Sequence, residues 1–174
     1  MKRLLICFSL FMFFRVQAQD DTLGFEPRTV NLDGSSKVIL NQRFGQWELC
    51  DSYVYKYDDE QGIPIAKSYS DVIAGDFDGD GERDFAALIK TSEICYLVVL
   101  FRTNQSYTLH VIDSSHFDFE TIIWLVPKDM TEYELTTQKP HRHKADAIGF
   151  GYYGKGGGTY FYYCGEFHFL YISD

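Results

Sequence analysis

GDFDGDGERDFAALI, residues 75–89, is the stretch whose reading decides the fold. Its carboxylates Asp76, Asp78, Asp80 and Asp84 stand at positions one, three, five and nine of a loop, with Gly79 and Gly81 between them. Alternate residues of a tightly curled loop direct their side chains at one centre, and a hard divalent cation with many oxygen ligands suits such a centre. Gly81 at position six supplies the sharp turn, and Glu82 at position seven offers its backbone carbonyl. Without a cation, carboxylates about 4 Å apart repel by roughly 4 kcal/mol per pair at an effective dielectric near 20. The expected metal set is therefore Asp76, Asp78, Asp80, Glu82 and Asp84, and the expected cofactor is Ca2+.

The residues that follow separate two calcium architectures. An EF-hand requires a bidentate Glu at position twelve and a helix on each side; position twelve here is Ala87, inside the apolar run that begins at Phe85. Gly75, Asp76, Phe77, Asp78, Gly79, Asp80, Gly81 and Asp84 instead resemble, position by position, the FG-GAP repeat of integrin-type and VCBS-type proteins, with its DxDxDGxxD loop ahead of a strand. The resemblance implies calcium-ligand roles for Asp76, Asp78, Asp80 and Asp84. No second copy of the motif occurs: Asp58, Asp59 and Glu60 lack the alternation, and Asn31, Asp33 and Gly34 are too few. A full propeller, which repeats its blades, is thus not expected, and calcium is expected to act as a structural staple.

Outward from the loop, periodicity and turn residues predict strands at 37–40, 47–57, 85–90, 94–102, 107–112 and 121–126, then at 145–153, 159–164 and 167–172, with 69–74 leading into the acidic loop. A turn is expected at 103–106 and another at Gly165 and Glu166, whereas 128–139 reads as a short helix or an irregular connection. The expected fold class is mainly β: an antiparallel meander sheet in a single compact β-rich domain over residues 28–174, not a full propeller, with few or no helices.

At the N-terminus, Lys2 and Arg3 precede an apolar run over 4–14, and Val16 and Ala18 fit a cleavage site, which predicts a Sec-type signal peptide over 1–18 and a flexible tail over 19–27. The run is closed by Arg15, short of the roughly 20 apolar residues a membrane span needs, so no membrane span is expected after cleavage and the expected location is periplasmic or secreted. Cleavage removes Lys2, Arg3 and Arg15 and no carboxylate, so the 16 Lys and Arg fall to 13 against 25 Asp and Glu and the net charge moves from −9 to −12. That balance argues against nucleic acid and favours a cation or a basic protein as partner. Cys50, Cys95 and Cys164 remain, an odd number that allows one bridge or none.

A second stretch, YYGKGGGTYFYY at 152–163, reads as a glycine-rich hairpin loop between aromatic strands. It lacks the GxxxxGK[ST] order of a phosphate-binding loop. Gly157 and Tyr160 resemble the projecting Ser-Gly-x-x-Tyr hairpin of periplasmic lysozyme inhibitors, with Gly156 in place of the serine. That resemblance implies a partner-binding loop made by Lys155, Gly157, Thr159 and Tyr160, and a basic cell-wall hydrolase as its target. His141 and His143, in HRHK, are expected in a solvated loop because no third metal ligand is legible. Asp113, Ser114, Ser115 and His116 contain triad residue types without a nucleophile elbow. The expected function is a calcium-binding, non-enzymatic binding protein, an inhibitor or immunity protein against a lysozyme-like peptidoglycan hydrolase; the alternatives are a carbohydrate-binding or adhesion module, and a hydrolase.

Overall fold

Residues Phe85 to Ile89 are apolar at every position, and a strand without a polar face needs cover on both sides. The structure, a computed structural model describing residues 30–50, 53–57, 64–68, 70–92, 94–115, 121–152 and 156–173, shows both covers. The proposed signal peptide and tail, and Lys155, lie outside the described residues.

In chain order the elements are α1 (Gly34–Phe44), β1 (Glu48–Leu49), β2 (Tyr53–Tyr57), β3 (Pro64–Ser68), β4 (Val72–Gly75), β5 (Asp84–Thr91), β6 (Ile94–Thr103) and β7 (Ser106–Ser115). They continue with β8 (Thr121–Val126), β9 (Thr131–Tyr133), β10 (Pro140–Arg142), β11 (Ala147–Tyr152), β12 (Gly156–Tyr163) and β13 (Glu166–Ser173). One sheet runs from β7 through β6 to β5, whose far edge is shared by β4 and β1. The second has the order β13-β12-β11-β8, and all its pairs are antiparallel. Two ribbons, β2-β3 and β9-β10, complete the strands.

The core has two compartments, and alternation along β5 and β6 sorts residues between them. Ala86, Leu88, Leu97, Val99 and Phe101 meet Ile123, Ile148 and Phe150 of the second sheet. Phe85, Ala87, Ile89, Val98 and Leu100 face the other way, onto Leu32 and Leu40 at and before α1. The layers are helix, sheet, sheet. Each fully buried Leu or Val contributes about 1.5–3 kcal/mol, which is why both faces of β5 stay apolar.

The expectation of a mainly β, antiparallel domain with few helices holds, while several local readings are corrected. Residues 37–40 are helical, not a strand. Asp33 caps α1 by accepting the Ser36 N–H at 2.8 Å, and Gly45 ends it at φ 70°, its N–H donating to Asn41. The sheet needs that helix as its lid, and Leu40 is fully buried there. The expected strand 47–57 divides into β1 and the separate β2, and 128–139 is an irregular connection, the second of its two expected forms, that carries the short strand β9.

The glycine run is also corrected, because β12 begins at Gly156, so Gly157 and Gly158 belong to a strand rather than a loop. Gly157 pairs with Gly151, and Gly158 pairs with Phe150 and Tyr171. A Cβ on Gly158 would lie 2.2 Å from the Leu170 carbonyl oxygen and 2.5 Å from the Phe169 ring, and one on Gly149 would lie 2.0 Å from Trp124. These glycines mark close approach of neighbouring groups to the strand backbone. Cys50 and Cys95 are buried in the core, Cys164 is exposed at the β12-β13 turn, and no disulfide joins them. Among the described residues no helix is long and apolar enough to cross a membrane.

Candidate metal centre

The acidic loop connects β4 to β5, and its base is the paired Gly75 and Asp84. Asp76, Asp78 and Asp84 each bring a carboxylate oxygen to within 4.8 Å of the others, a group that could hold a metal ion. Three features of the sequence place them. Gly79 and Gly81 take φ of 82° and 89°, which lets the chain curl. Phe77, between two ligand candidates, is 1 % exposed and anchors the loop in the intersheet core. Gly75 leaves room for a third element, since a Cβ there would lie 3.0 Å from Asp146 Oδ2.

Asp146 is a residue positioning the loop that the sequence reading missed. Its Oδ2 accepts the Asp76 N–H at 3.0 Å, its Oδ1 accepts the Lys128 N–H at 2.8 Å, and its own N–H donates to the Asp76 carbonyl at 3.0 Å. The loop is thereby clasped to the connection entering β11. Seventy positions separate Asp146 from Asp76, and no local pattern around it carries that pairing.

The electrostatics follow from burial. Asp84 is fully buried, its Oδ2 accepting the Phe77 N–H at 2.9 Å and its Oδ1 the Arg102 N–H at 2.8 Å. Burial pushes its carboxyl up to about 6; the Arg102 and Phe77 N–H groups pull the other way, and Asp78 and Asp80 add to the rise. Burial likewise raises Asp78, with Asp80 and Asp76 adding to it against the Asp80 N–H. The Oδ1 of Asp76 is buried with no hydrogen-bond partner among the described residues. Such a concentration of acceptors and negative charge is what a cation relieves. Asp80 and Glu82 stand apart from the three: the Asp80 Oδ1 accepts the Glu82 N–H at 2.7 Å, and the exposed Glu82 carboxylate lies 3.7 Å from Arg102 Nε.

Of the residues expected to form a partner-binding loop, Gly157, Thr159 and Tyr160 lie in β12, and Lys155 is outside the described residues. Gly157 is in the ladder between β11 and β13, Thr159 is fully buried, and half-buried Tyr160 donates its hydroxyl to Asp113 Oδ2 at 2.9 Å, tying the two sheets together. Burial, with Asp113 beside it, raises the Tyr160 phenol. His141 and His143, expected in a solvated loop, are packed instead: His141 is on β10 and His143, just after it, is 1 % exposed. Burial and the neighbouring His143 hold His141 below the ordinary imidazole value, Glu132 pulling the other way. No family model, curated protein or solved structure matches the chain.

Proposed function

We propose that this is a secreted or periplasmic, calcium-binding protein whose role is binding rather than catalysis, with an FG-GAP-like loop as its structural staple. The observation that carries the reading is the convergence of Asp76, Asp78 and Asp84, together with the buried, unpartnered Oδ1 of Asp76. Oxygen-only donors on a curled loop favour calcium over the softer transition metals. Binding to the folded state alone would stabilise it by mass action. The test is thermal unfolding in calcium and in chelator: the midpoint is expected to rise with calcium, and superimposable melts would overturn the assignment.

The proposed partner is a basic protein such as a cell-wall hydrolase, supported by the net charge of −12 that follows from 13 basic and 25 acidic residues after removal of 1–18. Capture from an envelope fraction in calcium, and release at high salt, is the expected behaviour; hydrolase activity unchanged at saturating protein would exclude inhibition. A second reading, glycan binding, is favoured by Tyr152 and Tyr171, which lie 36 % and 61 % exposed beside the side-chain-free positions Gly156 and Gly158. Sugar rings stack on such faces, and Tyr171→Ala is expected to abolish glycan retention if this is the recognition surface.

A further inference from the structure

The second chemically distinctive cluster lies at the end of the β9-β10 ribbon, where Glu132 of β9, His141 of β10 and His143 just after it come together. His143 is 1 % exposed on its side chain, and its Nε2 lies 2.7 Å from Oε2 of Glu132, itself 10 % exposed. In the tautomer whose Nε2–H donates to the Glu132 carboxylate, the ring's lone pair resides on Nδ1. That Nδ1 is buried and has no hydrogen-bond partner among the described residues. The backbone around it is fixed, the His143 N–H donating to the Met130 carbonyl at 3.0 Å and the Asp129 N–H to the His143 carbonyl at 2.9 Å.

The His141 ring stands 4.8 Å from that of His143, centre to centre, with the planes at 67°. Two imidazoles sharing one ion at the usual metal–nitrogen distance of about 2.0–2.1 Å have ring centres roughly 4.5–5.2 Å apart for bond angles between square and tetrahedral. His141 also packs on Phe161, 4.2 Å between ring centres, which restricts its orientation. Both histidines line a cavity of about 400 Å³ that Tyr163, His168 and Asp146 also border. Of the two flanking cations, Arg142 is drawn off by Asp129, 3.0 Å away, and Lys144 lies over the Tyr163 ring, 5.7 Å from its centre.

We propose that His141 and His143 bind a borderline transition-metal ion such as Zn2+ or Cu2+, with Glu132 orienting His143 from behind and the remaining coordination positions open to the cavity. Imidazole nitrogen selects this class of ion, whereas calcium requires oxygen. A carboxylate on the far nitrogen of a ligating histidine is the usual support for such a ligand. The site shares no ligand with Asp76, Asp78 and Asp84, so it stands or falls apart from the calcium assignment.

The test is calorimetric titration with Zn2+ of the protein made without a polyhistidine tag, in excess calcium so that the acidic loop is saturated. One zinc ion per chain is expected. His141→Gln should weaken binding by roughly 100-fold, and Glu132→Gln by about 10-fold, the range for loss of a supporting carboxylate. Because His143 is buried, the half-buried His141 carries the mutational test, with circular dichroism to verify the fold. A paramagnetic resonance spectrum of the Cu2+ form should show coupling to two imidazole nitrogens. Absence of saturable zinc binding, undiminished affinity in His141→Gln, or an oxygen-only copper spectrum would each overturn the proposal.

Discussion

Glycine is concentrated in two regions of this molecule for opposite reasons. In the β4-β5 loop, Gly79 and Gly81 sit at φ 82° and 89°, and a Cβ at Gly81 would meet nothing within 4 Å. In β11 and β12, Gly149, Gly157 and Gly158 need no left-handed backbone, yet a Cβ at any of them would fall within 2.5 Å of a neighbouring atom. The first pair supplies a conformation, the second group supplies space. The surroundings distinguish the two: carboxylates lie about the first, whereas Trp124 takes up the room at Gly149, Phe169 and the Leu170 carbonyl that at Gly158, and the Phe150 backbone that at Gly157.

The comparison breaks most readily at Gly158. Its added Cβ would meet the Leu170 carbonyl oxygen at 2.2 Å and the Phe169 ring at 2.5 Å. Leu170 is in register with Thr159 on the next strand, so the obstacle is backbone held by a ladder rather than the end of a flexible side chain. Overpacking typically costs about 1–3 kcal/mol and sometimes more, and Gly158→Ala is expected near 3 kcal/mol by urea unfolding. A loss below about 1 kcal/mol would mean that this segment gives way like a loop.

How much was legible in the sequence follows the same division. The acidic loop was readable because its spacing, Asp76, Asp78 and Asp84, is local, and β5 and β6 because unbroken apolar runs have few other uses. Helix α1 was missed although Asp33 and Gly45 bracket it, since Val38, Ile39 and Leu40 in succession mimic a short strand. Gly157 and Gly158 were misread because the groups that need their space, the Phe150 backbone, the Leu170 carbonyl and the Phe169 ring, belong to other strands. Asp146 and Glu132 were invisible for a related reason: each acts on a residue that only the fold brings near it.

On the loop side, the next largest effect is expected from removing charge. Asp78→Ala combined with Asp80→Ala should abolish calcium-dependent stabilisation, about 2.7 kcal/mol when calcium is at 100 times its dissociation constant. The pH dependence sharpens the test. With chelator present, Asp84 titrates near 6 in the folded chain, above its ordinary 3.8, so between these values the native state binds more protons than the unfolded state. Its contribution to stability is therefore full below about 4 and lost as pH rises through about 6. With calcium the trend should reverse, because the ion displaces the proton. Identical pH profiles in calcium and in chelator would remove Asp84 from the site.

Asp146→Ala probes the clasp rather than the ligands. It deletes acceptors for the Asp76 and Lys128 N–H groups, at 3.0 and 2.8 Å, and two hydrogen bonds to a charged, partly exposed acceptor should together contribute about 2 kcal/mol. The loss is expected in chelator as well as in calcium, since these bonds do not require the ion. A loss seen only with calcium would instead make Asp146 part of the metal site.

The smallest effect tests the conformational half of the comparison. Gly81→Ala adds a methyl group into open space, so packing predicts no loss, but φ of 89° is strained for any residue bearing a Cβ. About 1 kcal/mol is expected in chelator, where the loop can relax toward negative φ. If the loop binds calcium as proposed, the ion would hold the curl and the strain should appear as weaker calcium binding, a several-fold rise in Kd by calorimetry. Because Gly81 and Gly158 would receive the same methyl group, the ratio of their losses measures conformation against space directly, and equal losses would dissolve the distinction between the two glycine regions.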